Sequence, residues 1–279
     1  MRIKVSHQTH YAYAAPAKSV IQILRLTPRS HEGHHVIGWR IDVDLDCQLR
    51  ADQDAFGNLS HRFSVEGPVA GLTVSVSGEI ETFDTSGVIA GTVERFPPEF
   101  YLRETELTQA GDALRGFALA SVKGAGAPLE RLHALLGAVN GAMAFDTSPT
   151  DTGTSAAQAF ALKRGVCQDF AHIFIACARH IAIPARYAGG YFLRSDGIID
   201  QEAGHAWAEA YVADLGWVGF DPANGISTHE SHVRVAIALD YLGAAPVRGT
   251  RFGGAGETLK VGVRVSADAQ SQSQRQTQS

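Results

Sequence analysis

The feature that most constrains the fold is a change in hydrophobic period near residue 100. Before it, apolar and polar residues alternate in short runs with turn-forming residues between them, which is the pattern of half-buried strands. After it, apolar residues recur at three- and four-residue steps, which is the pattern of amphipathic helices. We therefore expect an all-β N-terminal domain over residues 1–85, of small-sandwich or curled-sheet type. Its strands are expected at 2–13, 20–26, 36–43, 60–65 and 72–83.

Residues 86–265 are expected to form an α+β domain in which a helical lobe precedes an antiparallel β lobe and a C-terminal extension. Helices are predicted over 104–120, from Pro128, from Ser155 and after Gly165. Strands are predicted at 185–193, 205–212, 217–220 and about 258–265. The Ser/Gln-rich residues 266–279 have no apolar periodicity and are predicted to be a disordered tail.

Composition excludes several classes of function. The chain has 279 residues, a formal net charge of -5 and no Lys/Arg cluster, so no nucleic-acid or anionic-membrane partner is indicated. No run approaches the roughly 18 apolar residues of a membrane span, and the N-terminus lacks the apolar region of a signal peptide. We expect a cytoplasmic protein, and leave open whether it forms a homo-oligomer.

The three cysteines, Cys47, Cys167 and Cys177, are too sparse and too far apart for a disulfide framework or a paired metal-binding spacing. Cys167 falls where a loop enters a helix, and a helix N-terminus stabilises a thiolate. Its backbone N–H can also donate to an oxyanion. The alternative is a small buried thiol that only packs, which is the interpretation we favour for Cys177.

Two downstream residues, His205 and Asp221, could form a catalytic group with Cys167. His205 opens one predicted strand and Asp221 closes the next, with a hairpin turn at residues 213–216 between them. Antiparallel pairing would set His205 and Asp221 side by side, so that the carboxylate could orient the imidazole toward the thiol. That is the nucleophile, base and orienter arrangement of covalent acyl transfer.

The sequence motifs around these residues resemble the transglutaminase-like core of the papain-related superfamily. They are RGVCQDFAH (164–172), IPARY (183–187), GY (190–191), HAWAE (205–209), GW (216–217) and FDP (220–222). The N-terminal third resembles the β-rich region that precedes this core in bacterial members, and residues 240–249 resemble their C-terminal extension. The resemblance implies a papain-like fold, with Cys167 as nucleophile, His205 as base and Asp221 as orienter.

The chain departs from the family pattern in its oxyanion donors. The Trp that animal transglutaminases place upstream of the nucleophile is missing, and Ala161 and Leu162 stand where papain-type enzymes have a Gln. The backbone N–H of Cys167 is therefore the one donor that the sequence supports. No calcium loop is evident, and we expect neither a metal nor a cofactor. Supporting roles around the site are assigned to Asp169, Arg186, Trp207 and Glu209.

The predicted function is hydrolysis of an amide or peptide bond through a thioester on Cys167. The alternatives are a transglutaminase that passes the acyl group to an amine, acyl transfer from a small thioester donor, and a non-catalytic peptide-binding module. A competing motif, His31-Glu32-Gly33-His34-His35, fits the zinc-protease pattern H-E-x-x-H. Its central Gly and strand-like flanks predict a loop, whereas zinc binding needs a helix and a third ligand.

Overall fold

The computed structural model describes residues 1–267, which form two large antiparallel sheets, a short two-stranded parallel sheet and a layer of helices. The helices are α1 (Asp112–Ser121), α2 (Pro128–Ala142), α3 (Ala156–Leu162), α4 (Cys167–His180) and α5 (Tyr241–Ala244). The strands are β1 (Arg2–Thr27), β2 (His34–Val43), β3 (Arg50–Gln53), β4 (Leu59–Thr82), β5 (Val88–Ile89), β6 (Ala144–Phe145), β7 (Arg164–Gly165), β8 (Ala185–Phe192), β9 (Asp200–Gln201), β10 (His205–Val212), β11 (Gly216–Asp221), β12 (Ile226–Ser227), β13 (His232–Ala238), β14 (Val247–Phe252) and β15 (Ala255–Ala267).

The N-terminal sheet is built on β1, in which every second residue from Ile3 to Tyr13 is buried. Its order is β2-β4-β1-β15-β9, with β14 also pairing β1 and β3 pairing β4. The predicted pairs of short strands at 2–13 and 20–26, and at 60–65 and 72–83, are single long strands here. The β1–β4 register shifts between Ala12 and Ala17, so an irregularity absorbs Pro16 without ending the strand.

The second sheet carries the candidate site and has the order β12-β11-β10-β8-β13, with β5 pairing β11. Helices cover one face of it. The small residues Ala206, Ala208 and Ala210 of β10 lie in the same buried core as α4, which lets that helix approach the sheet closely. Cys177 is fully buried in this core, and burial raises the pKa of its thiol to about 12. This environment agrees with the prediction that Cys177 is a core residue with no chemical role.

The predicted division at residues 85/86 requires correction. β14 and β15 lie in the C-terminal part of the chain, yet both pair with β1 of the N-terminal sheet. Residues 247–267 therefore complete the N-terminal sheet instead of extending the α+β domain. Ser266 and Ala267, predicted to begin the tail, are the last residues of β15, and residues 268–279 lie outside the described part of the chain. None of the helices formed by residues 1–267 has the length and apolarity needed to cross a bilayer.

Candidate active site

Cys167 is the first residue of α4, and the turn that presents it is held by the carboxylate of Asp169. Oδ2 of Asp169 accepts the Val166 backbone N–H at 2.8 Å and the Thr150 hydroxyl at 2.7 Å. Burial raises the pKa of Asp169, and these two donors oppose the shift. An added Cβ at Gly165 would lie 2.4 Å from the same oxygen, so the turn requires glycine there. Asp169 thus supports the loop before the thiol, which is a positioning contact.

Cys167 is half-buried at the floor of a cleft of about 880 Å³. One side of the cleft is formed by the second sheet, including Gly190 and His205. The opposite side comes from the N-terminal sheet, through residues of β1 and β15 that include Tyr11, Leu259 and Val261. Residues of both sheets therefore line the cleft that contains the thiol.

His205 and Asp221 meet as the sequence predicts. His205 opens β10, Asp221 closes β11, and His205 Nε2 lies 2.6 Å from Asp221 Oδ2. Since Nε2 is used by the carboxylate, Nδ1 is the ring nitrogen left for Cys167. Burial lowers the pKa of His205, but the charge and hydrogen bond of Asp221 and the contact with Cys167 outweigh it and raise the pKa to about 10. The imidazole therefore holds its proton at neutral pH.

Asp221 is fully buried and has two partners that the sequence did not reveal. His232 Nε2 lies 3.1 Å from Asp221 Oδ2, and Asn224 Nδ2 donates to that oxygen at 2.7 Å. The backbone N–H of His229 points at His232 Nδ1 at 3.2 Å, so the His232 proton sits on Nε2 and is donated to the carboxylate. Burial opposes ionisation of Asp221, yet His205 and His232 hold its pKa well below the usual range.

The four supporting residues fall into two groups. Trp207 lies beside the site, with ring centroids 6.1 Å from His205 and 5.3 Å from His232. Arg186 and Glu209 do not reach it, because within residues 1–267 no hydrogen bond joins either to Cys167, His205 or Asp221. They form an ion cluster instead, in which Glu209 accepts Arg186 Nε at 2.7 Å and Arg234 Nε at 2.6 Å.

Two histidine groups bear on metal binding. His205, Asp221 and His232 bring their ligand atoms within 4.8 Å of one another. Both imidazoles aim Nε2 at one carboxylate oxygen at hydrogen-bond distance, which is the geometry of N–H donation. His31 and His34 flank a two-residue turn at Glu32 and Gly33, and His34 opens β2, so the segment is not helical. Within residues 1–267 neither histidine belongs to such a group of three.

Comparison with known families agrees with this architecture. Residues 115–222 match the family described as the transglutaminase-like superfamily. Residues 3–81 match the bacterial transglutaminase-like N-terminal region. The first span contains Cys167, His205 and Asp221, and the second contains most of β1, β2 and β4.

Individual proteins are similar over nearly the whole chain. An uncharacterised protein of Mycobacterium leprae is 28% identical over 282 residues, covering 95% of this chain and 98% of the relative. An uncharacterised protein of Mycobacterium tuberculosis is 27% identical over 273 residues, covering 89% of this chain and 87% of the relative. A candidate cysteine protease from Cytophaga hutchinsonii shares the fold with a TM-score of 0.78 at 19% identity, covering 95% of this chain and 90% of that chain. The two family matches, over residues 3–81 and 115–222, assign the chain to the transglutaminase-like superfamily.

Proposed function

We propose that this protein is a cysteine-dependent amide or peptide hydrolase that works through a thioester on Cys167, with His205 as base and acid and Asp221 as orienter. The observation that carries the proposal is the 2.6 Å contact between His205 and Asp221 beside a thiol at a helix N-terminus. Packing alone does not call for a half-buried thiol, an imidazole and a buried carboxylate at the floor of one cleft.

The electrostatics support a preformed thiolate–imidazolium pair. Asp221 stabilises the protonated form of His205, and the first turn of α4 offers unpaired N–H groups and partial positive charge to the sulfur. The thiolate is the nucleophilic form of cysteine, so this arrangement supplies it without a separate deprotonation step.

The reaction then follows from the positions of the groups. The thiolate attacks the amide carbon, a C–S bond forms, and the carbonyl electron pair moves onto the oxygen. That oxyanion is formed next to the backbone N–H of Cys167. When the intermediate collapses, the C–N bond breaks, and Nδ1–H of His205 protonates the departing amine, which leaves a thioester.

His205 is now neutral and can take a proton from water as the water oxygen attacks the thioester carbon. The C–S bond then breaks, which releases the acid and returns the electron pair to the Cys167 thiolate beside protonated His205. An amine that entered the cleft in place of water would give transamidation by the same steps. We favour water, because the upstream Trp of animal transglutaminases is absent from this chain.

The first experiment is brief iodoacetamide treatment from pH 4 to pH 9, followed by peptide mass spectrometry that quantifies each cysteine. Cys47 is an internal control, since it is half-buried like Cys167, but burial and Asp46 raise the pKa of its thiol. We expect Cys167 to be alkylated rapidly below pH 7 and Cys47 only slowly.

His205→Ala should slow alkylation of Cys167 and leave Cys47 unchanged. Equal reactivity of Cys167 and Cys47 at pH 6 would remove the chemical basis of the proposal and favour a non-catalytic binding module. Once Cys167 is shown to be reactive, an amide library assayed with and without added primary amine separates hydrolysis from transamidation by the mass of the product.

A further inference from the structure

Oxyanion stabilisation in acyl transfer needs more than one donor, and the backbone N–H of Cys167 supplies only one. The second donor must be a polar hydrogen that lies in the cleft near the sulfur and has no partner in the free protein. Donors already engaged with other groups cannot turn to an oxyanion without breaking those bonds.

Tyr187 lies in the right place. It is in the middle of β8, where its backbone is fixed between Ala208 of β10 and Ala238 of β13. Its ring packs against His172 of α4, with centroids 5.3 Å apart, and its side chain lines the cleft together with Cys167. Burial raises the pKa of Tyr187, and the charge of Cys167 raises it further, so the phenol keeps its proton.

A second tyrosine on the same strand shows what is unusual about this hydroxyl. Tyr191 also lines the cleft, and its hydroxyl is 3.0 Å from His7 Nδ1, which is itself held by Thr9 at 3.0 Å through Nε2. The Tyr187 hydroxyl has no hydrogen-bond partner within residues 1–267, although the residue is only 3% exposed.

We propose that the Tyr187 hydroxyl is the second oxyanion donor, acting together with the backbone N–H of Cys167. The inference rests on the proposed function of Cys167. Tyr187 donates a hydrogen bond as the thiolate adds to the carbonyl carbon and charge develops on oxygen. It gives up no proton, and the hydrogen bond is released when the carbonyl forms again and the amine departs.

Gln168 is the competing donor, since its Nε2 also lacks a partner within the described residues. That nitrogen is enclosed by protein atoms, whereas the Tyr187 oxygen is not among the enclosed unpaired atoms. Both residues line the cleft, and the Tyr187 hydroxyl is the more accessible of the two donors to a substrate oxygen.

Two reagents that attack the same sulfur test the proposal without knowledge of the natural substrate. Iodoacetamide reacts by displacement at carbon and forms no oxyanion, whereas 4-nitrophenyl acetate acylates the thiol through a tetrahedral oxyanion. We expect Tyr187→Phe to lower the rate of acylation of Cys167 by about 100-fold. This rate is measured from the release of nitrophenolate. Its rate of alkylation by iodoacetamide should stay at the wild-type value.

Tyr241→Phe is the matched control, because Tyr241 lines the same cleft with its ring 6.1 Å from that of Tyr187. It should leave both rates unchanged. The proposal is overturned if Tyr187→Phe acylates like the wild type, if it slows both reactions equally, or if Gln168→Leu shows the selective loss instead. Failure of the wild-type protein to become acylated at Cys167 would count against the proposed function itself.

Discussion

β10 passes through two clusters of buried charge, and they differ in how completely their members are satisfied. At Glu209, both carboxylate oxygens are taken by arginines, and Arg186 also pairs with Glu94 at 3.0 Å and lies 3.8 Å above the ring of Trp217. At His205, four residues earlier, the carboxylate of Asp221 is fully paired, but the thiol of Cys167 faces an open cleft.

The difference indicates which cluster holds the sheet together and which is left for chemistry. A closed set of partners gains nothing from a ligand, and its loss exposes uncompensated charge. A set with a free nucleophile and an unpaired donor is complete only when a substrate is present. Substitutions in the first cluster should therefore affect the stability of the fold, and substitutions in the second should affect the rate.

The largest effect is expected from Asp221→Asn. The change keeps the shape of the side chain but removes the charge that holds the proton on His205, so acylation of Cys167 by 4-nitrophenyl acetate should fall by roughly 10²- to 10⁴-fold. Asp196→Asn is the matched control, since Asp196 also lines the cleft but pairs with Arg194 in an exposed position. Equal rates for Asp221→Asn and the wild type would show that the carboxylate only packs.

Glu209→Gln is expected to have a large effect on the stability of the fold and none on the rate of acylation. Loss of the carboxylate leaves two buried or nearly buried arginines without their shared counter-ion, and the free energy of unfolding in urea should fall by about 3–5 kcal/mol. The folded fraction should still be acylated at the wild-type rate.

Asp200→Asn provides the comparison for Glu209→Gln. Asp200 pairs with Arg264 at 2.9 Å, but both side chains are at least 60% exposed, so the change in unfolding free energy should stay below about 1 kcal/mol. If Glu209→Gln lowered the acylation rate while stability was unchanged, the division between the two clusters would be wrong.

The smallest expected effect is seen in the titration of His205, whose midpoint should lie above the ordinary value for histidine. Because the pKa of His205 is raised to about 10, its ring should be protonated at pH 7 and lose the proton only as the pH rises through about 10. The stability gained from its contact with Asp221 should be complete below pH 6.5, the ordinary His value, and decline above it. Imidazole NMR signals assigned with His205→Ala should show this midpoint, and a midpoint near 6.5 would contradict the ion pair.

The sequence predicts the parts of the site that depend on local signals. The start of α4 near Cys167, the capping box at Ser155 and the bounds of β10 follow from a glycine break, a Ser–Gln spacing and apolar alternation. His205 and Asp221 could be paired because a short turn joins their strands. Each of these depends on residues close together in the chain.

The parts that were missed depend on distant contacts. His232 lies on β13, whose pairing with β8 across the sheet has no local signature. The helix predicted over 104–120 begins only at Asp112, because the segment before it forms hydrogen bonds with the side chain of Arg179 of α4. Arg179 reaches the Tyr101 carbonyl at 2.8 Å and the Thr108 hydroxyl at 2.7 Å, which favours a 3₁₀ turn at Glu106–Thr108 over an α-helix.

The pairing of β15 with β1 has a consequence for how the protein is made. A ribosome delivers Cys167, His205 and Asp221 long before it delivers Leu259 and Val261, which form part of the cleft wall. During synthesis one edge of β1 can pair with β4, but its other edge must wait for β15, which lies 240 residues away at Ala15↔Ala255 and 264 residues away at Ile3↔Ala267. Contacts of that separation form slowly. Under the proposed function, the nascent chain carries its nucleophile before the wall of the cleft is complete, and substrate capture should begin only after the last strand has joined the sheet.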